Sequence, residues 1–354
     1  MPVEQTVVVS VGMMTSVGLS APETAASVRG GTMRFTEIDW RDQRFEPFTV
    51  AQVPEEALPA LTEPLAKEGG LSLREDRMLR LATMPLLECL RSIPPLPRSV
   101  GLILALPETE TARPLDRAGF VKRLALQTDG AFDFQSSNSD PKGRAGGLLA
   151  IGQAGNKIRE GQASFFLAGG IDTYRDLYVL GRLDMDRRVK SSVQLDGFIP
   201  GEGAGFVLLA SAKAAAAAGL HPLGLVSSVS EGREEGHLYS EKPYRGDGLA
   251  TALAGFLEGN GSHAPIREVY SSMNGENHWA KEWGVAYLRN HAAFSPSHRM
   301  HHPADCFGDT GAACGPLMVG LAAMGIKHGY HEGPSLVYCS SDRGQRAVVA
   351  FSSN

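Results

Sequence analysis

Cysteine is scarce in this 354-residue chain: the four thiols stand at 89, 306, 314 and 339, and no two have C-x-x-C spacing. So few, so placed, they argue against disulfides and fit a reducing compartment. No apolar stretch reaches the roughly 18 residues of a membrane span, and no Lys or Arg precedes the short apolar run Val7 to Val11. No membrane association is expected, and the cytoplasm is the expected location. Blocks of like charge are also missing. With a net charge of -5 the chain lacks the basic face that gripping nucleic acid would need. What remains is the composition of an ordinary globular protein, 43% hydrophobic and 21% charged, long enough to bury a sizeable core.

The pattern of elements is α/β. Thr6 to Val11 is a β-branched run suited to a strand buried on both faces. Ser20-Ala21-Pro22-Glu23 reads as a helix start, with Ser20 as cap, Pro22 in the first turn and Glu23 closing a capping box; Gly30-Gly31 ends that helix. Residues 32 to 75 read as irregular surface. A helix is expected over Arg74 to Ser92, a strand over Ser99 to Leu106, and broken polar text from 108 to 142. Then come a helix over Gly146 to Glu160, strands over Phe165 to Ile171 and Phe206 to Ala210, and an alanine helix ended by Gly219. The second part restarts the alternation, with strands near 223 to 229, 269 to 272, 335 to 339 and 347 to 351 and helices near 248 to 257, 279 to 289 and 311 to 327. Strands alternating with helices imply a sheet covered on both faces. The expected boundary gives halves of 1–215 and 216–354.

Four ordered segments carry a family resemblance. Asp196-Gly-Phe-Ile-Pro-Gly201-Glu202-Gly203-Ala-Gly205 resembles the D-G-F-x-x-G-E-G-A-G signature of the β-ketoacyl-acyl-carrier-protein synthases. Leu167-Ala-Gly169-Gly170-Ile-Asp172 resembles their L-A-G-G-V-[DN], Val8 to Leu19 their opening segment, and Gly308-Asp-Thr-Gly-Ala-Ala-Cys-Gly315 their late G-H-x-x-A-A-A-G. The resemblance implies a thiolase-like five-layered αβαβα sandwich built from two similar halves, and a homodimer.

It also implies chemistry that this sequence does not supply. The family condenses acyl units through a cysteine thiolate at a helix N-terminus, two histidines that polarise the malonyl thioester, and a lysine. Counting back from Arg159-Glu-Gly161 and Leu167 to Gly170, the cysteine position falls on Arg144, and no cysteine stands between Cys89 and Cys306. The first histidine position is best matched by Asn274, the second falls on Asp309, and the lysine on Ala304. Asn274 retains a hydrogen-bond donor for a carbonyl; an ionised Asp309 would repel an enolate. Arg144, Asn274, Asp309 and Cys339 are therefore binding candidates, with no intact catalytic set.

Three other constellations carry chemistry-bearing residue types. Ser136, Ser137 and Ser139 precede the expected helix as potential nucleophiles, but a turn with Asp140 capping and Pro141 in the first helical position is the simpler reading. His298, His301 and His302 with Asp305 and Cys306 carry metal-ligand types without a known ligand spacing, so solvated histidines are preferred and no metal or other cofactor is expected. Cys306, Cys314 and Cys339 lie in segments around the family pocket and read as inert buried thiols. The preferred function is a non-condensing scaffold or accessory protein. Its length and site loss resemble the ketosynthase-like proteins found beside effector genes of bacterial type VI secretion systems, which implies an effector or adaptor partner. The alternatives are an auxiliary subunit of chain-length-factor type, partnered by a ketosynthase and acyl carrier protein, and an acyltransferase or hydrolase with a rewired site.

Overall fold

The structure is a computed structural model, which describes residues 5–96, 100–109, 115–260, 265–331 and 333–353. Its strands are β1 (Thr6–Thr15), β2 (Thr36–Arg41), β3 (Pro47–Val50), β4 (Leu102–Ala105), β5 (Asn138–Asp140), β6 (Phe165–Thr173), β7 (Glu202–Ser211), β8 (Gly224–Val226), β9 (Ser230–Arg233), β10 (Ile266–Ser271), β11 (Phe294–His301), β12 (Ser335–Ser340) and β13 (Gln345–Ser352). Its helices are α1 (Ala21–Arg29), α2 (Glu63–Glu68), α3 (Leu73–Arg91), α4 (Arg117–Gln127), α5 (Gly143–Arg159), α6 (Leu177–Met185), α7 (Ala212–Ala217), α8 (Asp247–Asn260), α9 (Asn277–Asn290), α10 (Ala304–Phe307) and α11 (Cys314–Lys327).

The pairing pattern occurs twice. In the order β5-β4-β6-β7-β1 the neighbours are parallel, parallel, antiparallel, antiparallel. The order β11-β10-β12-β13-β9 has the same signs. Short β8 pairs with both β13 and β1, joining the two runs into one hydrogen-bonded sheet.

Strand alternation divides the core into three parts. Along β7, Phe206, Leu208 and Ala210 face outward to α3 and α4, while Val207 and Leu209 face inward to α5 and α11. On the other side, Leu336 and Tyr338 of β12 pack outward with α8 and α9, and Val337 and Cys339 pack inward on the same central pair of helices. The outcome is the five-layered αβαβα sandwich, with α5 and α11 as its middle layer. Those two helices approach closely where a side chain would not fit. A Cβ on Gly147 would lie 2.2 Å from Pro316 Cδ, and strand β6 meets the turn before α11 as tightly, since a Cβ on Gly170 would lie 2.1 Å from the Ala312 carbonyl oxygen.

The structure departs from the sequence pattern in five places. Residues 32 to 75 contain the β2–β3 hairpin, and residues 294 to 301 form strand β11, whose sparse apolar content hid an edge strand exposed to solvent. Polar text from 108 to 142 contains α4, capped by Asp116 on the Gly119 amide. The end of the glycine-rich signature, residues 202 to 205, already belongs to the strand, since β7 begins at Glu202. Glu23 accepts from the Leu19 amide rather than from that of Ser20, although Ser20 does cap α1. Among the described residues no helix is long and apolar enough to cross a membrane.

Candidate functional site

Helix α5 starts at Gly143, so Asp140 does not cap it and Pro141 does not open its first turn, as the sequence had suggested. The cap comes from the other half of the sheet: Ser341 Oγ accepts from the Ala145 amide at 2.8 Å and donates to the Lys142 carbonyl at 2.5 Å. Arg144 therefore sits in the first turn, 3% exposed, at the positive end of the helix dipole. Two carboxylates offset that unfavourable position. Arg144 Nε donates to Asp309 Oδ2 at 2.7 Å, its Nη2 contacts the same oxygen, and Nη1 donates to Asp342 Oδ1 at 2.5 Å.

The contacts continue until they close. Asn274 Nδ2 donates to Asp309 at 2.7 Å and to Glu276 at 3.1 Å. Arg188 makes a bidentate pair with Glu276 at 2.7 and 2.8 Å, then reaches Asp342 at 2.6 Å. Arg144, Asp309, Asn274, Glu276, Arg188 and Asp342 thus form an unbroken ring of side chains. Trp279 Nε1 donates into the ring at Glu276, and the Trp279 and Phe198 rings flank the guanidiniums at 5.3 to 5.9 Å. Two guanidiniums face three carboxylates within it, giving one formal negative charge in excess.

The protonation states follow from that arrangement. Burial alone would raise the Asp342 carboxyl, but the Arg144 and Arg188 guanidiniums outweigh burial and hold it well below the usual carboxylate range. Both arginines are held well above their ordinary value: burial opposes this, but facing carboxylates, chiefly Asp309 for Arg144 and Asp342 for Arg188, prevail. Glu108, beside the ring, shows the opposite balance. Burial first and repulsion from Asp342 second push it up to about 8, so it holds its proton at neutral pH.

Each residue singled out in the sequence has a definite place. Arg144, Asn274 and Asp309 come together in the ring. Ala304 opens α10 and is outside it. Cys339 is buried on β12; burial first, then the neighbouring Cys314 thiol, pushes its pKa far up, so it is a protonated thiol rather than a nucleophile. Burial likewise raises Cys306. Ser136 donates to Asp133 and Ser137 to the Asp133 carbonyl, as turn residues do. His301 joins Glu268 and His331 rather than His298, His302, Asp305 or Cys306.

The signature glycines and acids position this site without entering it. Residues 199 to 201 pair with Asp309, through Gly201 N–H to its carbonyl at 2.8 Å and Asp309 N–H to the Ile199 carbonyl at 2.9 Å. Cβ atoms at Gly201, Gly203 and Gly205 would meet the Phe307, Met14 and Leu317 backbones within 3 Å, and one at Gly169 the Phe206 ring. Glu202 is buried under Arg77, with 2.7 and 2.5 Å contacts, and also accepts from Thr173 and the Val53 amide. Asp196 accepts from the Asn277 amide, ahead of α9. Arg188, Glu276 and Asp342 were missed from sequence. Glu276 lies two residues from Asn274 and was within reach; nothing local marks the other two. A cavity of about 50 Å³ against the ring, lined by Arg74, Glu108, Tyr174 and Tyr239 among others, has room for a few waters.

Known proteins share this architecture. Residues 144–215 match the family model described as Beta-ketoacyl synthase, N-terminal domain. Over 157 residues the chain is 31% identical to polyketide synthase PksN of Bacillus subtilis (strain 168), an alignment that covers 39% of this chain and 3% of that much longer protein. The solved ishigamide ketosynthase/chain length factor superposes with a TM-score of 0.78 at 17% identity, covering 99% of both chains. A chain from AntDE:AntF, a type II PKS acyl-carrier protein in complex with its ketosynthase, gives 0.78 at 16% identity, again over 99% of both. The ketosynthase from module 6 of the bacillaene synthase of Bacillus subtilis 168 gives 0.77 at 13%, covering 99% of this chain and 72% of that one. The superpositions show the thiolase-like fold of the ketosynthases, and the matched segment is similar to their N-terminal domain.

Proposed function

We propose that this protein is a non-condensing ketosynthase-fold subunit that works by holding a protein partner, in the manner of a chain-length factor. The observation that carries the reading is Arg144 locked inside a buried ring of hydrogen-bonded ions, where the family resemblance expects a free thiolate. A condensing site needs a nucleophile, a hydrogen-bond pair aimed at an enolate, and space for the acyl chain. Here the corresponding positions hold Arg144, Asn274 and Asp309, all engaged with one another, and the adjoining cavity is about 50 Å³. Halves of 1–215 and 216–354 and a two-fold partner through the β5 edge belong to the same proposal. Solved relatives that pair a ketosynthase with a chain length factor or with a carrier protein support this kind of partner. The secretion reading has no comparable observation behind it.

The test is affinity capture of the tagged full chain from its own cells, followed by intact-mass analysis after incubation with acyl thioesters of several lengths. Recovery of a ketosynthase or an acyl carrier protein, with no acyl adduct on this chain, is the expected result. A stoichiometric acyl-enzyme would overturn the non-condensing reading, and recovery of a secretion effector or adaptor would replace the partner class.

A further inference from the structure

A second cluster of ionisable side chains lies apart from the ring and shares no residue with it. Glu268 on β10, His301 at the end of β11 and His331 in the loop before β12 place one ligand atom each within 4.8 Å of the others. Glu268 is 2% exposed. Its Oε2 is 2.6 Å from His301 Nε2, and its Oε1 is 3.4 Å from His331 Nδ1. That nitrogen is buried, meets the carboxylate only across this long 3.4 Å contact, and has no hydrogen-bond partner among the described residues. A buried ring nitrogen left without a hydrogen bond is costly unless something else uses its lone pair.

The rings are held as ligands are held. Parallel pairing of Tyr270 with His301 stacks their rings at 4.5 Å and 18°, while Tyr270 meets His331 edge-on. A Cβ on Gly325 would lie 2.1 Å from His331 Cδ2, so the ring occupies room that only glycine leaves. Burial, the largest influence on His331, lowers its pKa and favours the neutral imidazole.

We propose that Glu268, His301 and His331 bind a divalent transition ion of the zinc class, with two imidazoles and one carboxylate as protein ligands and solvent completing the shell. Two nitrogens and one oxygen suit such an ion. Tetrahedral bonds of about 2.0–2.1 Å require donors about 3.3 Å apart, so Glu268 Oε1 and His331 Nδ1 at 3.4 Å already fit, and the 2.6 Å contact of His301 Nε2 with the other oxygen, Oε2, gives way on binding. Arg299 now neutralises Glu268 from the solvent side, with Nε at 3.0 Å and a side chain 61% exposed. It can swing into water without burying its charge, so the cation competes with the ion it stands in for.

The test uses the chelator-stripped full chain, titrated with zinc chloride by calorimetry and with Co²⁺ by visible absorption. One equivalent should bind and raise the melting temperature. His331→Ala and Glu268→Gln should each weaken binding at least ~10-fold, by the scale that applies even to outer-shell partners. Arg299→Ala should tighten it, and His298→Ala, on the same strand but outside the cluster, should leave it unchanged. Circular dichroism checks that each variant is folded. Absence of stoichiometric binding, or binding that survives His331→Ala in a folded variant, overturns the proposal.

Discussion

Replacing Arg144 by alanine tests whether the ring is structural. The substitution removes one of two guanidiniums and leaves Arg188 alone against Asp309, Glu276 and Asp342, all under 9% exposed. Removing one partner of a buried ion pair typically costs about 3–5 kcal/mol, because the remaining charge stays buried without its counter-ion. Arg144 serves two carboxylates, so the upper part of that range is expected, eased only if water enters the vacated volume. The helix dipole works the other way, since a cation in the first turn of α5 is unfavourable by a few tenths to about 1 kcal/mol. The net expectation is a loss of about 3–4 kcal/mol in urea unfolding. In a double-mutant cycle, Asp309→Asn should be costly alone and much less so beside Arg144→Ala, with a coupling of about 1–3 kcal/mol. A loss below about 1 kcal/mol for Arg144→Ala would refute the reasoning and mean that the site is hydrated and open.

The other expectations concern packing and protons. Gly170→Ala forces a Cβ to within 2.1 Å of the Ala312 carbonyl, where backbone must shift, so a loss of about 1–3 kcal/mol or more is expected in the same assay. Burial and Asp342 raise Glu108 from 4.5 to about 8 in the folded chain. A carboxyl raised on folding binds more protons in the native state, so its contribution is fully present below 4.5 and is lost as pH rises to about 8. Glu108→Gln should therefore flatten the decline in stability across that window, by up to about 4 kcal/mol at its alkaline end. Identical pH profiles for the variant and the parent chain would count against the protonated state of Glu108.

Much of the architecture is legible in the order of residues, because strands buried on both faces must be apolar throughout. Val7 to Val11, Phe206 to Ala210 and Ala347 to Phe351 announce themselves, and the glycine runs at 169–170 and 201–205 mark where backbones meet. The sequence also supplied three members of the ring, Arg144, Asn274 and Asp309, through the positions they hold relative to those runs. Their engagement with one another was decided only in three dimensions. Arg188 follows α6, Glu276 precedes α9 and Asp342 follows β12, and each is an unremarkable charge in its own segment. Electrostatic compensation acts across space rather than along the chain, so Asp342 could be assigned to Arg144, 198 residues away, only once β12 had brought its loop to the start of α5. For the same reason, the histidine cluster read from 298 to 302 dissolved. Strand pairing carried His301 to Glu268, a helix ending carried His331 to the same carboxylate, and the neighbours adjacent in sequence pointed elsewhere.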